Sequence, residues 1–143
     1  MFIAGIYQNY MKNLKSFNMN YTSIKQSKHL LKLGLNPESA DMYWFRDNTE
    51  VPQVFPKDMM HNSVSVTYPC WSVGALIKLL PGDIYYNNVH CMNMLSANGV
   101  GYYSPYKPDE QRAASITWGE NPDLVDALYN CIVWFLENKY IKN

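Results

Sequence analysis

The sequence predicts an α+β domain: an antiparallel β-meander with a long C-terminal helix packed on one face and two further helices ahead of it. Three observations carry this expectation. Residues 85–118 alternate in polarity around Asn98-Gly99, a pair suited to a tight hairpin because both positions tolerate positive φ. Residues 121–139 place Leu124, Leu128, Cys131, Ile132 and Phe135 at helical spacing. Residues 22–34 are amphipathic and carry their own start and stop signals.

The elements follow in chain order. Residues 1–18 have a weak apolar pattern and read as an N-terminal extension, a candidate flexible segment. Residues 19–143 read as a single globular domain. Ser23 and Gln26 fit a capping box, in which the hydroxyl and the amide each satisfy the other residue's backbone N–H. Ile24, Leu30, Leu31 and Leu33 give the first helix an apolar side, and Lys25, Lys28 and Lys32 form the opposite stripe. Gly34 suits the left-handed position after the helix, and Asn36-Pro37 opens a short helical turn. Residues 42–46 are aromatic and strand-like. Residues 47–62, with Pro52 and Pro56, read as a long loop. Residues 64–68 read as a short strand stopped by Pro69.

Ser72 starts a second helix with Val73, Leu76, Ile77 and Leu80 on one side, ended by Pro81-Gly82. Lys78 is its one charge, which predicts burial. Residues 85–95, 100–104 and 112–118 then form a three-stranded meander, with a loop over residues 105–111. Asn121 caps the last helix, Pro122 is its first residue, and Asp123 and Asp126 lie near the positive end of its dipole.

Bulk composition excludes several classes. The 143 residues are 48% apolar and 17% charged, which argues against disorder. Twelve basic and twelve acidic side chains cancel, so neither a uniformly basic coat nor an acidic tail is present. The balance is uneven along the chain: residues 1–35 carry five lysines and no acid, a surplus that could steer a partner. No apolar run approaches the roughly 20 residues a membrane helix needs; the longest covers residues 131–136. The apolar start lacks a basic segment and a small-residue cleavage site, so no signal peptide is expected. Cys70, Cys91 and Cys131 are odd in number and widely spaced, which predicts reduced thiols and a cytoplasmic protein.

Three strings carry a resemblance: Ser27-Lys28-His29-Leu30-Leu31-Lys32-Leu33-Gly34-Leu35, Pro69-Cys70-Trp71-Ser72-Val73-Gly74-Ala75-Leu76, and Asp126-Ala127-Leu128-Tyr129-Asn130-Cys131-Ile132-Val133-Trp134-Phe135-Leu136-Glu137-Asn138. Together they resemble a family of small uncharacterised proteins from gut bacteria and their phages and mobile elements, over roughly residues 19–141. The strings are capping and core patterns. They imply a phage or mobile-element accessory role and bring no catalytic or binding residue with them.

No catalytic, cofactor-binding or metal-ligating residue is assigned from the sequence. A thiol enzyme would draw on Cys70, His90 and either Asp83 or Asp109. Cys70 stands just before a helix start, where partial positive charge lowers a thiol pKa. His29, His61 and His90 show no metal-ligand spacing. Nucleic-acid binding is an alternative, with Lys25, Lys28 and Lys32 as phosphate contacts. The favoured reading is contact with another protein or self-association as a homo-oligomer. Twelve tyrosines are present, and Tyr85, Tyr86, Tyr102, Tyr103 and Tyr106 cluster in the meander, offering rigid area with a polar tip. Strand alternation requires that Tyr102 or Tyr103 point away from the packed helix.

Overall fold

A computed structural model describes residues 20–45, 54–56, 67–97, 99–104, 115–119 and 123–141. Three helices and seven strands occur among them. Helix α1 spans Ile24–Lys32, a 3₁₀ turn spans Pro37–Ser39, and strands β1 (Met42–Phe45), β2 (Val54–Pro56) and β3 (Thr67–Cys70) follow. Helix α2 (Val73–Leu79) leads into β4 (Asp83–Tyr86), β5 (Val89–Leu95), β6 (Val100–Tyr103), β7 (Ser115–Trp118) and the long helix α3 (Leu124–Glu137). The expected α+β class holds, and α3 packs on β6, β7 and α2.

Helix α1 forms as its caps dictate. The Gln26 N–H donates to Ser23 Oγ at 3.1 Å, and the Ser23 N–H donates to Gln26 Oε1 at 3.0 Å. At the other end Gly34 adopts φ 94°. The Gly34 N–H then reaches Leu31 O and the Leu35 N–H reaches Leu30 O, each at 3.0 Å, closing a Schellman motif. Leu30 and Leu35, the two residues that motif brings together, are both buried.

The strands form two antiparallel sheets, ordered β2-β1-β3 and β4-β5-β6-β7. The sequence reading anticipated one meander, and three corrections follow. Residues 54–56 lie in the expected loop yet pair with β1, Tyr43 opposite Phe55. Pro69 does not stop a strand but sits inside β3, opposite Tyr43. Its missing N–H is tolerated because β3 is an edge strand. The expected single strand over residues 85–95 breaks at Asn87 (φ 50°) and Asn88 (φ 62°), a left-handed pair that makes a tight turn between β4 and β5. The meander therefore has four strands. A fourth correction concerns α3, which begins at Leu124 with Asp123 at its N-cap; Asn121 and Pro122 lie outside the described residues.

A buried polar knot ties the first sheet to the helices. Thr22 Oγ1 accepts the Trp71 N–H at 3.0 Å and shares a 2.9 Å hydrogen bond with Ser27 Oγ, with both side chains fully buried. The Trp44 indole N–H donates to Thr22 O at 2.9 Å, and the Trp71 indole N–H donates to Ser39 Oγ at 2.9 Å. Asp41 accepts the Ser72 N–H at 2.9 Å and also the Ser72 hydroxyl, next to the start of α2. Paired in this way, the buried donors escape the cost of about 1–3 kcal/mol that each unsatisfied group would carry.

Helices α1 and α3 run side by side in the same direction. Gln26 Nε2 donates to Asp126 Oδ1 at 2.7 Å, and one turn further His29 Nδ1 bonds the Tyr129 hydroxyl. The main core is one cluster. Leu30, Leu35, Trp71 and Leu76 meet Ile84, Cys91, Val100 and Tyr102 of the second sheet and Leu128, Cys131, Ile132 and Phe135 of α3.

Candidate interaction surface

Strand register sorts the second sheet into two faces. Ile84 opposes Cys91, Asn93 opposes Tyr102, and Tyr102 opposes Ile116; these residues face α3. The alternate positions face outward: Asp83 and Tyr85, then His90, Met92 and Met94, then Gly101 and Tyr103, then Ser115 and Thr117. This outer face is apolar at its centre. Tyr85 is 69% exposed, Met94 60%, Met92 51% and Tyr103 37%. Those fractions amount to roughly 400 Å² of exposed side chain, the size at which a patch on a monomer is often functional.

The five tyrosines named from the sequence divide accordingly. Tyr85 and Tyr103 lie on the outer face. Tyr102 is wholly buried: its hydroxyl donates to Pro81 O at 2.5 Å and its ring meets Phe135 edge-on at 5.2 Å. Desolvation raises its pKa well above the tyrosine range. Tyr86 is half-buried against Trp134, with ring centroids 5.9 Å apart. Tyr102 and Tyr86 therefore serve the core and are withdrawn as contact residues, because a two-residue period sends alternate side chains inward. Tyr106 lies outside the described residues. Sequence reasoning missed Met92 and Met94, which join Tyr85 to Tyr103. Their position two residues apart on one strand, in step with His90, was the available signal.

Polar residues on this face lie toward its edges: Asp83 and His90 on one side, Ser115 and Thr117 on the other. His90 Nε2 meets Asp83 Oδ2 at 2.6 Å, and the Tyr85 ring lies over His90 at 5.2 Å. The pair is largely solvated, so its net contribution to stability is under about 1 kcal/mol. At the β6–β7 end a cleft of about 400 Å³ opens between Met94, Tyr103 and Thr117, with the Trp118 ring turned inward against Trp134 and Phe135. Its floor is Gly101, over which the Tyr103 ring folds. A Cβ at Gly101 would stand 2.9 Å from Tyr103 Cε2, so glycine is what lets the ring lie down beside the cleft.

The other candidate residues are dispersed. Cys70 sits on β3 and is fully buried beside Thr22. Any lowering of its pKa by the following helix is outweighed. Burial dominates and pushes the thiol up to about 12. Cys91 and Cys131 are buried and likewise raised by desolvation. His90 belongs to the other sheet and is engaged with Asp83, while Cys70 bonds Thr22, so the alternative nucleophile and base lie on separate sheets with separate partners. Asp109 and His61 lie outside the described residues. No cluster of three metal-ligating side chains occurs among the described residues. Lys25, Lys28 and Lys32 are all exposed on α1, with Lys28 Nζ 4.8 Å above the Tyr68 ring.

No described helix is long and apolar enough to cross a membrane. Comparison with family models, with curated proteins and with solved structures finds no match to this chain.

Proposed function

We propose that this chain is a non-enzymatic protein that works by association with a second copy of itself through the outer face of the β4–β7 sheet. The supporting observation is the continuous exposed set Tyr85, Met92, Met94 and Tyr103 on a face that an antiparallel sheet ordinarily gives to polar residues. Methionine adapts to a partner's shape and tyrosine brings rigid area, a combination that suits docking. Two such faces together approach the about 1,000 Å² that a specific interface requires. The chain's zero net charge removes long-range repulsion between copies. An accessory role in a phage or mobile element, implied by the family resemblance, accords with a binding module. The raised pKa of the buried Cys70 thiol counts against an enzyme built on Cys70 and His90.

Analytical ultracentrifugation tests this reading. The wild type should dimerise with rising concentration, and a Met92→Lys/Met94→Lys variant with unchanged circular dichroism should remain monomeric. A wild type that stays monomeric, or a variant that dimerises equally well, would overturn it.

A second reading has one observation behind it: the exposure of all three lysines on α1. If that stripe binds nucleic acid, affinity should fall steeply with salt, and Lys28→Glu/Lys32→Glu should weaken it further. A salt-independent or absent interaction removes this alternative.

A further inference from the structure

We infer that Tyr85 of one copy seats in the glycine-floored cleft of the other, so that each protomer completes its partner's site. The inference rests on the outer-face reading above and adds its geometry. Tyr85 is the most exposed of the large apolar side chains described, and it stands at one corner of the face, on edge strand β4. The cleft stands at the diagonally opposite corner, against edge strand β7.

Register fixes this placement. Tyr85 lies in the row of His90, whereas the cleft lies in the row where Met94 opposes Gly101 and Gly101 opposes Thr117. Between the two rows runs a central one in which Met92 opposes Tyr103. A two-fold axis lying along the face and passing between Met92 and Tyr103 exchanges the two corners. It carries Tyr85 of each copy over the cleft of the other and stacks the Met92–Tyr103 rows at the centre. The two sheets then cross near a right angle, one of the two established ways for sheets to pack. An isologous contact demands this reciprocity, with residue i on j and j on i.

The cleft suits the occupant. Met94, the Tyr103 ring and the Thr117 methyl give it apolar walls, and Gly101 adds no side chain between them. A tyrosine ring fills such a space edge-on or offset against other rings and keeps its own hydroxyl toward water. The backbone beneath the anchor is held in place, since the Tyr140 hydroxyl donates to Tyr85 O at 2.8 Å. Tyr140 in turn stacks on Trp134 of α3, with centroids 5.1 Å apart and planes 17° apart. The protruding side chain therefore rises from a fixed strand, which limits the entropy lost on docking.

Photo-cross-linking tests the seating. Within one chain Tyr85 and Thr117 are three strands and four residues out of step, about 20 Å apart, so a link between these positions arises between copies. A Tyr85→p-benzoylphenylalanine variant, irradiated at concentrations where the wild type dimerises, should give a covalent dimer whose link maps to Met94, Tyr103 or Thr117. Tyr85→Phe should dimerise as the wild type does, and Tyr85→Ala should raise the dimer Kd by at least about 30-fold, as for a buried aromatic anchor. A wild type that dimerises while the link maps elsewhere, or while Tyr85→Ala leaves Kd unchanged, overturns the seating and leaves the outer-face reading standing. A wild type that never dimerises overturns the outer-face reading itself.

Discussion

Tyr102 and Tyr103 are neighbours on one strand and have opposite surroundings. Tyr102 is wholly buried against Phe135, with its hydroxyl on Pro81 O; Tyr103 lies outward over Gly101. The same division runs through the whole second sheet. Its inner residues, among them Ile84, Cys91 and Val100, meet α3 and the helices before it, and its outer residues include Met92 and Met94. A sheet with one wet face usually alternates apolar with polar. Here β5 turns Met92 and Met94 outward and Cys91 inward, yet the described elements cover only the inner side. The lesson is that packing against α3 accounts for the inner face, while the exposed side chains of the outer face are what the proposed association would cover.

Substitutions should separate the two faces sharply. Tyr102→Ala should cost about 3–5 kcal/mol, the range for deleting a buried aromatic side chain. Tyr103→Ala should cost under about 1 kcal/mol, because its ring is substantially exposed. Urea unfolding of both variants measures the difference, and equal losses would erase the distinction between the faces.

The buried polar knot offers the next largest effect. Thr22→Val keeps the volume and removes the acceptor of the Trp71 N–H, leaving a buried donor unpaired. A loss of about 1–3 kcal/mol is expected. Thr22→Ser, which retains the hydroxyl, should lose less.

Alkali should act through the interior. The folded protein holds Cys70 protonated up to about pH 12, whereas an unfolded thiol ionises near its ordinary value of 9.0. Below that value both states carry the proton and stability is independent of this group. Above it the unfolded chain binds fewer protons, so stability falls as pH rises toward 12, by up to about 1.4 kcal/mol per pH unit for a single thiol. A Cys70→Ala variant should be less stable near pH 7, where it leaves a cavity and loses the thiol's hydrogen bond to Thr22 O, and should show a flatter decline in alkali. An unaltered slope would contradict the assignment of the decline to this thiol. At neutral pH, alkylation of all three cysteines should be slow until the chain unfolds.

The smallest expected effect is a gain. Lys139 follows α3 with φ 61°, and the Tyr140 N–H reaches Phe135 O at 2.9 Å. Glycine adopts that conformation without a Cβ clash, so Lys139→Gly should stabilise by about 1 kcal/mol in thermal or urea unfolding. No gain would mean that the lysine side chain contributes more than its backbone strain costs.

Local chemistry made much of the fold legible. Ser23, Gln26 and Gly34 mark the ends of α1 because caps act within a few residues. The apolar stripe of α3 is readable because Leu128, Cys131, Ile132 and Phe135 share one side of a helix. Pairing between distant segments left no such mark. Nothing near residues 54–56 announces β2, because a three-residue strand is specified by its partner β1 rather than by its own pattern. The turn at Asn87-Asn88 carried a signal that went unused, as two consecutive asparagines tolerate positive φ. At the candidate surface, alternation required one of Tyr102 and Tyr103 to face out, but which one depended on where α3 packs. Met92 and Met94 escaped notice because methionine serves equally in a core.

Methionine oxidation footprinting tests the central claim most directly. Dilute peroxide is applied to the wild-type protein over a wide concentration range, and oxidation of Met92 and Met94 is followed by mass spectrometry. Docking of the outer face on a second copy predicts rapid oxidation in dilute solution and strong protection of both methionines as concentration rises. Equal oxidation rates at every concentration at which the protein is otherwise shown to dimerise would place the interface elsewhere and contradict the account.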